Sequence, residues 1–239
     1  MKQRKRSSAA NANFLIPSRG TKIPFAMLDA VEGFILAGGE SRRMGTAKSR
    51  LVLDGQSFVE RIARELSAVA SSIKVVGDKA SQVELNSLID PPIKMQPVPD
   101  VYPQWGALGG VHAALSACSE SWALVVACDF PFVTSELFRS LARVREDFEA
   151  VAPIQNDEIP QPLCSLYRVE PCLRLAEQLI KSGERKPITL LQSVRTRWVL
   201  FNELSRLKGA DCFFDNINTP EDYARLSEKG FSVDDVAMG

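Results

Sequence analysis

From Val31 onward, short apolar runs alternate with segments that are apolar on one face only. Gly33-Phe-Ile-Leu-Ala37 has no polar alternation and runs into Gly38 and Gly39, which predicts a strand buried on both faces and stopped by a turn. Trp122 to Cys128 has the same character and stops at Asp129. Ile73–Val76, Glu149–Ile154, Leu163–Tyr167 and Arg197–Phe201 predict further strands, and another ends at Pro97-Val-Pro-Asp100. Between these runs, Phe58, Ile62, Leu66 and Val69 recur at helical spacing behind Ser57 and Glu60, the pair that forms a capping box. Ala107–Cys118 predicts a second helix, Thr134 caps a third that carries Leu137, Phe138 and Leu141, and Pro171–Lys181 predicts a fourth closed by Gly183. Thr219 followed by Pro220 opens a last one, because proline fits the first helical position, where no N–H is needed.

Continuous apolar strands separated by helices predict an α/β fold: an open, mainly parallel Rossmann-like sheet with helices on both faces, in a single domain. Ligands of such sheets bind beyond the carboxyl ends of the strands, so residues just after Ala37 and Cys128 become site candidates. The first 28 residues mix Lys, Arg, Ser, Ala, Asn and Pro without periodicity and are expected to be a disordered basic tail, with the folded domain spanning 29–239. An acid-poor segment of this kind also suits a transit peptide, and Met27 is an alternative start. No apolar run approaches the roughly 18 residues of a membrane span, which removes a membrane partner from the expectation.

The formal net charge of zero hides an asymmetry. Lys2, Arg4, Lys5, Arg6, Arg19 and Lys22 lie in the tail with no acid; removing those six from 29 basic residues leaves 23 against 29 acidic ones, a body near −6. An acidic body argues against nucleic acid, which calls for a broad positive field, so a small anionic ligand would need local cations or a metal. The five cysteines form no C-x-x-C pair and read as buried thiols of a reducing, cytoplasmic compartment. His112 is the sole histidine and falls inside a helical pattern, where it reads as a packing residue.

The chemistry concentrates in Leu36-Ala-Gly-Gly-Glu-Ser-Arg-Arg-Met-Gly-Thr-Ala-Lys48. Adjacent glycines after a strand let backbone N–H groups approach phosphate oxygens, and Arg42, Arg43 and Lys48 supply the positive charge that a triphosphate requires. The spacing is neither that of a P-loop nor that of a dinucleotide fingerprint. Asp129, at the end of a buried strand, suits magnesium, which takes one or two carboxylates and fills its other positions with phosphate and water. Asp100 is a weaker candidate for a nucleotide or metal contact.

Four segments occur in order: Leu36-Ala-Gly-Gly-x-Ser-Arg-Arg-Met-Gly-x-x-Lys48, Pro99-Asp100 followed by Gly106-Ala-Leu-Gly-Gly110, Cys128-Asp-x-Pro131, and Asn216-Ile-Asn-Thr-Pro-Glu-Asp222. Together they resemble the molybdenum cofactor guanylyltransferases, within the wider group of nucleotide-diphospho-sugar transferase-like enzymes. The resemblance implies a nucleotidyltransferase that moves GMP from GTP to molybdopterin-bound molybdenum cofactor, with release of pyrophosphate. It implies nucleotide contacts at Leu36, Ala37, Gly38, Gly39 and Asp100, phosphate contact at Lys48, and Mg2+ at Asp129. Asn216 and Asn218 would lie on the pterin side, Gly109 and Gly110 belong to the same binding set, and Arg42, Arg43, Lys48 and Asp129 form the catalytic one. Other proteins of molybdenum cofactor biosynthesis, or acceptors of the product, would be the partners. Ala47 departs from the family, which usually has Asp before the lysine. The residues leave open a cytidylyltransferase acting on the same pterin, a sugar-phosphate nucleotidyltransferase, and a nucleotide-binding adaptor without turnover.

Overall fold

The computed structural model describes residues 30–37, 51–77, 93–103, 105–217, 219–228 and 231–232. Among these residues seven strands form one sheet: β1 (Val31–Leu36), β4 (Ile73–Val76), β5 (Met95–Val98), β6 (Trp122–Ala127), β7 (Ala150–Pro153), β8 (Cys164–Arg168) and β9 (Thr196–Val199). Their order is β5-β4-β1-β6-β8-β7-β9, and β2 (Val52–Leu53) with β3 (Gln56–Ser57) makes a separate antiparallel hairpin. The helices are α1 (Phe58–Ser67), α2 (Ala107–Ala117), α3 (Ser135–Ala142), α4 (Val169–Lys181), α5 (Pro187–Ser193), α6 (Phe201–Leu204) and α7 (Pro220–Glu228), with a 3₁₀ turn at Ala210–Cys212.

The unbroken apolar runs have a simple cause. Alternate residues of β1 and β6 feed two different cores: Val31, Ile35, Leu124 and Val126 pack under α1 and α3, while Phe34, Leu36, Ala123 and Val125 pack under α2, α4 and α5. The capping box at Ser57 and Glu60 is present, with Glu60 N–H donating to Ser57 Oγ at 3.2 Å and Ser57 N–H to the Glu60 carboxylate at 2.8 Å. Thr134 caps α3 through the Leu137 N–H, and Thr219 and Asp222 cap α7 reciprocally. A third, smaller core unites the hairpin with α7 through Leu51, Leu53, Phe58, Ile217, Tyr223 and Leu226.

Four departures from the sequence expectation have local causes. Strand β8 runs antiparallel to both β6 and β7, and since side-chain alternation is the same in either direction, the pattern carries no orientation. Phe201 starts α6 instead of ending β9, whose residues Thr196–Val199 lie at the sheet edge beside β7. The β2–β3 hairpin turns at Asp54 and Gly55, both at positive φ, a D-G pair in strands too short to show alternation. Of the cysteines, Cys128, Cys164 and Cys172 are buried as expected, whereas Cys118 and Cys212 are half-exposed. Burial pushes the thiols of Cys118 and Cys172 up to about 12. No helix among the described residues is long and apolar enough to cross a membrane.

At the amino end of β1 the structure buries a charge. Glu32 is 4% exposed and accepts from Ser72 Oγ at 2.7 Å, Ser119 N–H at 2.7 Å and Lys74 Nζ at 3.2 Å. Lys74 Nζ also donates to the Ala117 carbonyl at 2.6 Å, so the pair ties β1 and β4 to the end of α2.

Candidate active site

The site forms at the carboxyl edge of the sheet. From β1 the chain moves outward through β4 to β5 and then returns to β6 on the opposite side of β1, so the crevice between β1 and β6 is the topological switch point at which such sheets bind ligands. Backbone pairing carries on past each strand: Ala37 N–H donates to Val76 O at 2.9 Å, Gly77 N–H to Val98 O at 3.1 Å and Cys128 N–H to Leu36 O at 3.1 Å. The ends of β1 and β6 are thereby held together, with Leu36 level with Ala127 and Asp129 two residues beyond it.

Asp129 is half-buried and followed by the buried Phe130. Its carbonyl accepts the N–H of Ile217 at 3.3 Å, which places the exposed Asn216 next to it. Asp100 stands two residues past β5, half-buried, where the chain turns into α2. Helix α2 begins after Gly106 at φ +74° and has no acid in its first turn, where the Leu108 N–H donates to the Arg185 carbonyl at 3.4 Å.

Leu36, Gly109 and Gly110 are closely packed. Leu36 is 8% exposed and its side chain fills the space beside Gly110, where a built Cβ would lie 3.3 Å from Leu36 Cδ1. A Cβ on Gly109 would meet Trp105 Cβ at 2.9 Å and the Tyr102 carbonyl at 3.2 Å. The close approach that Gly109 allows is thus to the Tyr102–Trp105 turn. We expect Gly109→Ala to cost about 1–3 kcal/mol by overpacking, read as a lowered melting temperature, and Gly110→Ala to cost less because the tip of Leu36 can yield. Equal melting temperatures for both variants would contradict this. Gly38, Gly39, Arg42, Arg43, Lys48 and Asn218, with the 1–28 tail, lie outside the described residues.

His112 is buried, set edge-on to Tyr102 with ring centroids 4.9 Å apart, and burial lowers its pKa below the usual value, as suits a packing residue. Two contacts escaped the sequence pattern. Trp105 Nε1 donates to the Glu184 carbonyl at 2.8 Å while the Arg185 guanidinium lies 4.6 Å over the Trp105 ring, so the turn between α4 and α5 buttresses the start of α2. Gln155 Nε2 donates to the Phe214 carbonyl at 3.3 Å, joining the end of β7 to the segment that carries Asn216. Neither pair has a local signal, because each partner is remote in sequence.

Residues 33–196 match the MobA-like NTP transferase domain, well over half of the chain. The chain belongs to the MobA-like NTP transferase family. It is 34% identical over 199 residues to a probable molybdenum cofactor guanylyltransferase of Pelotomaculum thermopropionicum, covering 83% of this chain and 92% of that one. A molybdenum cofactor guanylyltransferase of Desulfosudis oleivorans is 28% identical over 197 residues, covering 82% and 93%. Among solved structures, the molybdopterin-guanine dinucleotide biosynthesis protein A of Archaeoglobus fulgidus superposes with a TM-score of 0.69 at 27% identity, over 83% of this chain and 98% of that one. The 4-diphosphocytidyl-2C-methyl-D-erythritol synthase of Anaerococcus prevotii, at a TM-score of 0.60 and 14% identity, shares the fold. The family match takes in Leu36 to Lys48, Asp100 and Asp129 and ends before Asn216, whose neighbour Ile217 meets Asp129 by a tertiary contact.

Proposed function

We propose that this MobA-like NTP transferase transfers GMP from GTP to the phosphate of molybdopterin-bound molybdenum cofactor, forming the guanine dinucleotide cofactor and pyrophosphate. The observation that carries the reading is the return of the C-terminal segment to the end of β6, where the Ile217 N–H on the Asp129 carbonyl sets Asn216 beside the carboxylate-bearing residue of the crevice. A nucleotide half, bounded by β1, β5 and the start of α2, therefore adjoins an acceptor half bounded by Asn216.

A phosphate oxygen of the pterin attacks the α-phosphorus of GTP; the new P–O bond forms as the bond to the β-phosphate oxygen breaks, and pyrophosphate leaves with the electron pair. The nucleophile is already an anion at neutral pH, so the reaction asks for charge neutralisation and alignment instead of a base. Arg42, Arg43 and Lys48 are assigned to the triphosphate, and Asp100 to the nucleotide side. The half-buried residue Asp129 at a strand end would hold magnesium through its carboxylate, and the metal would supply neutralisation of phosphate charge. The amides of Asn216 and Asn218 both donate and accept, which matches the mixed edge of a pterin.

Pyrophosphate release with GTP or CTP, each with and without the pterin acceptor, tests the reading. Release only with GTP and acceptor together supports it; a preference for CTP, or release with a sugar phosphate instead, overturns it. Within the same scheme, Lys48→Ala should weaken GTP binding more than acceptor binding, and Asn218→Ala the reverse. Calorimetric titration of both variants with both ligands decides this, and equal losses throughout would remove the two-sided cleft.

A further inference from the structure

After β9 the chain returns across the carboxyl edge of the sheet, and the structure pins that return at two points. The Phe214 carbonyl accepts from Gln155 Nε2 at 3.3 Å, and three residues later the Ile217 N–H donates to the Asp129 carbonyl at 3.3 Å. Asn216 lies between the pins and is exposed, whereas Phe213, Phe214 and Ile217 are buried. The second pin is built on β6; the first depends on one side chain beyond β7.

Gln155 is itself well placed to hold a position. Its backbone N–H donates to Ile159 O at 2.9 Å and its carbonyl accepts from Glu158 N–H at 3.1 Å, closing the loop after β7, so the side chain departs from a fixed point. On the other partner, the Phe214 ring stands edge-on to Phe130, the residue after Asp129, with centroids 6.0 Å apart and planes at 85°. The hydrogen bond is part-buried, and a carbonyl deprived of its donor there is destabilised.

The geometry points to Gln155 as a positioning residue for the acceptor half of the site: its amide holds the Phe214–Ile217 segment so that Asn216 stays beside Asp129. This rests on the proposal that Asn216 faces the acceptor. Among the described residues the hydrogen bonds of Gln155 go to Phe214, Ile159 and Glu158 and none to α2, β1 or β5, so its loss should fall on one substrate.

The test uses the full chain and two variants. Gln155→Met keeps the length and removes the donor; Gln155→Glu sets a second acceptor against the Phe214 carbonyl. Initial rates with GTP and the pterin acceptor varied in turn should show kcat/KM for the acceptor down about tenfold in Gln155→Met and further in Gln155→Glu, with GTP affinity within about twofold of the parent, since misplacement by a fraction of an ångström is felt by the group it misplaces. Hydrogen exchange at the Ile217 amide should accelerate in both variants, with melting temperatures lower than the parent by a few degrees only. Equal losses for GTP and acceptor, or an unchanged acceptor constant, would overturn the assignment. If the parent transfers nothing to the pterin, the proposed function fails instead, and amide exchange still decides: an unchanged rate at Ile217 would show that Gln155 holds nothing.

Discussion

Asp129→Asn is expected to reduce pyrophosphate release by well over tenfold while the protein melts at the parent temperature. The amide keeps the shape of the carboxylate, and the contact that organises the crevice here, Ile217 N–H to the Asp129 carbonyl, belongs to the backbone and survives the change. What disappears is the charge proposed to hold magnesium among the triphosphate oxygens. Tenfold corresponds to about 1.4 kcal/mol in the barrier, and removal of charge stabilisation at a phosphoryl centre should exceed it. Raising magnesium should recover part of the rate if the metal still binds through phosphates. A folded Asp129→Asn protein that turns over at more than a tenth of the parent rate would remove Asp129 from the metal site.

The second large effect lies at the opposite edge of the sheet and concerns stability. Burial alone would raise the pKa of Glu32, but the hydroxyl of Ser72, the N–H of Ser119 and the ammonium of Lys74 outweigh it and bring it from an ordinary 4.5 to about 2. A carboxylate with a depressed folded-state pKa stabilises the fold fully above 4.5, and that contribution is lost as pH falls from there toward 2. Acid unfolding followed by circular dichroism should therefore steepen in this window for the parent and flatten for a variant without the carboxylate. Glu32→Ala also leaves Lys74, with its side chain 13% exposed, without its ionic partner. Breaking a buried pair on one side costs about 3–5 kcal/mol, and for a chain of this length that means a melting temperature lower by roughly 10 °C. Glu32→Gln, which keeps an acceptor for Ser72 and the Ser119 N–H without the charge, should lose less than Glu32→Ala. A Glu32→Ala variant that melts within about 2 °C of the parent would show that the network contributes little.

The strands that build the crevice were legible because both faces of β1 and β6 are covered: burial on two sides demands the unbroken apolar runs at Gly33–Ala37 and Trp122–Cys128, and a run that stops at Asp129 marks a strand end. The capped starts of α1, α3 and α7 were legible for an equally local reason, since each cap is satisfied within three residues. Where a property depends on what lies across space, the pattern was silent. Gly109 and Gly110 carry the mark of a close approach, yet the partners are Trp105, Tyr102 and Leu36, and a missing Cβ looks the same in sequence whichever neighbour requires it. The reversed direction of β8, the Gln155–Phe214 hydrogen bond and the meeting of Ile217 with Asp129 are all choices of chain path. Periodicity identified the strands whose ends form the crevice; the C-terminal return across the sheet edge, held by hydrogen bonds between residues remote in sequence, brings Asn216 to Asp129.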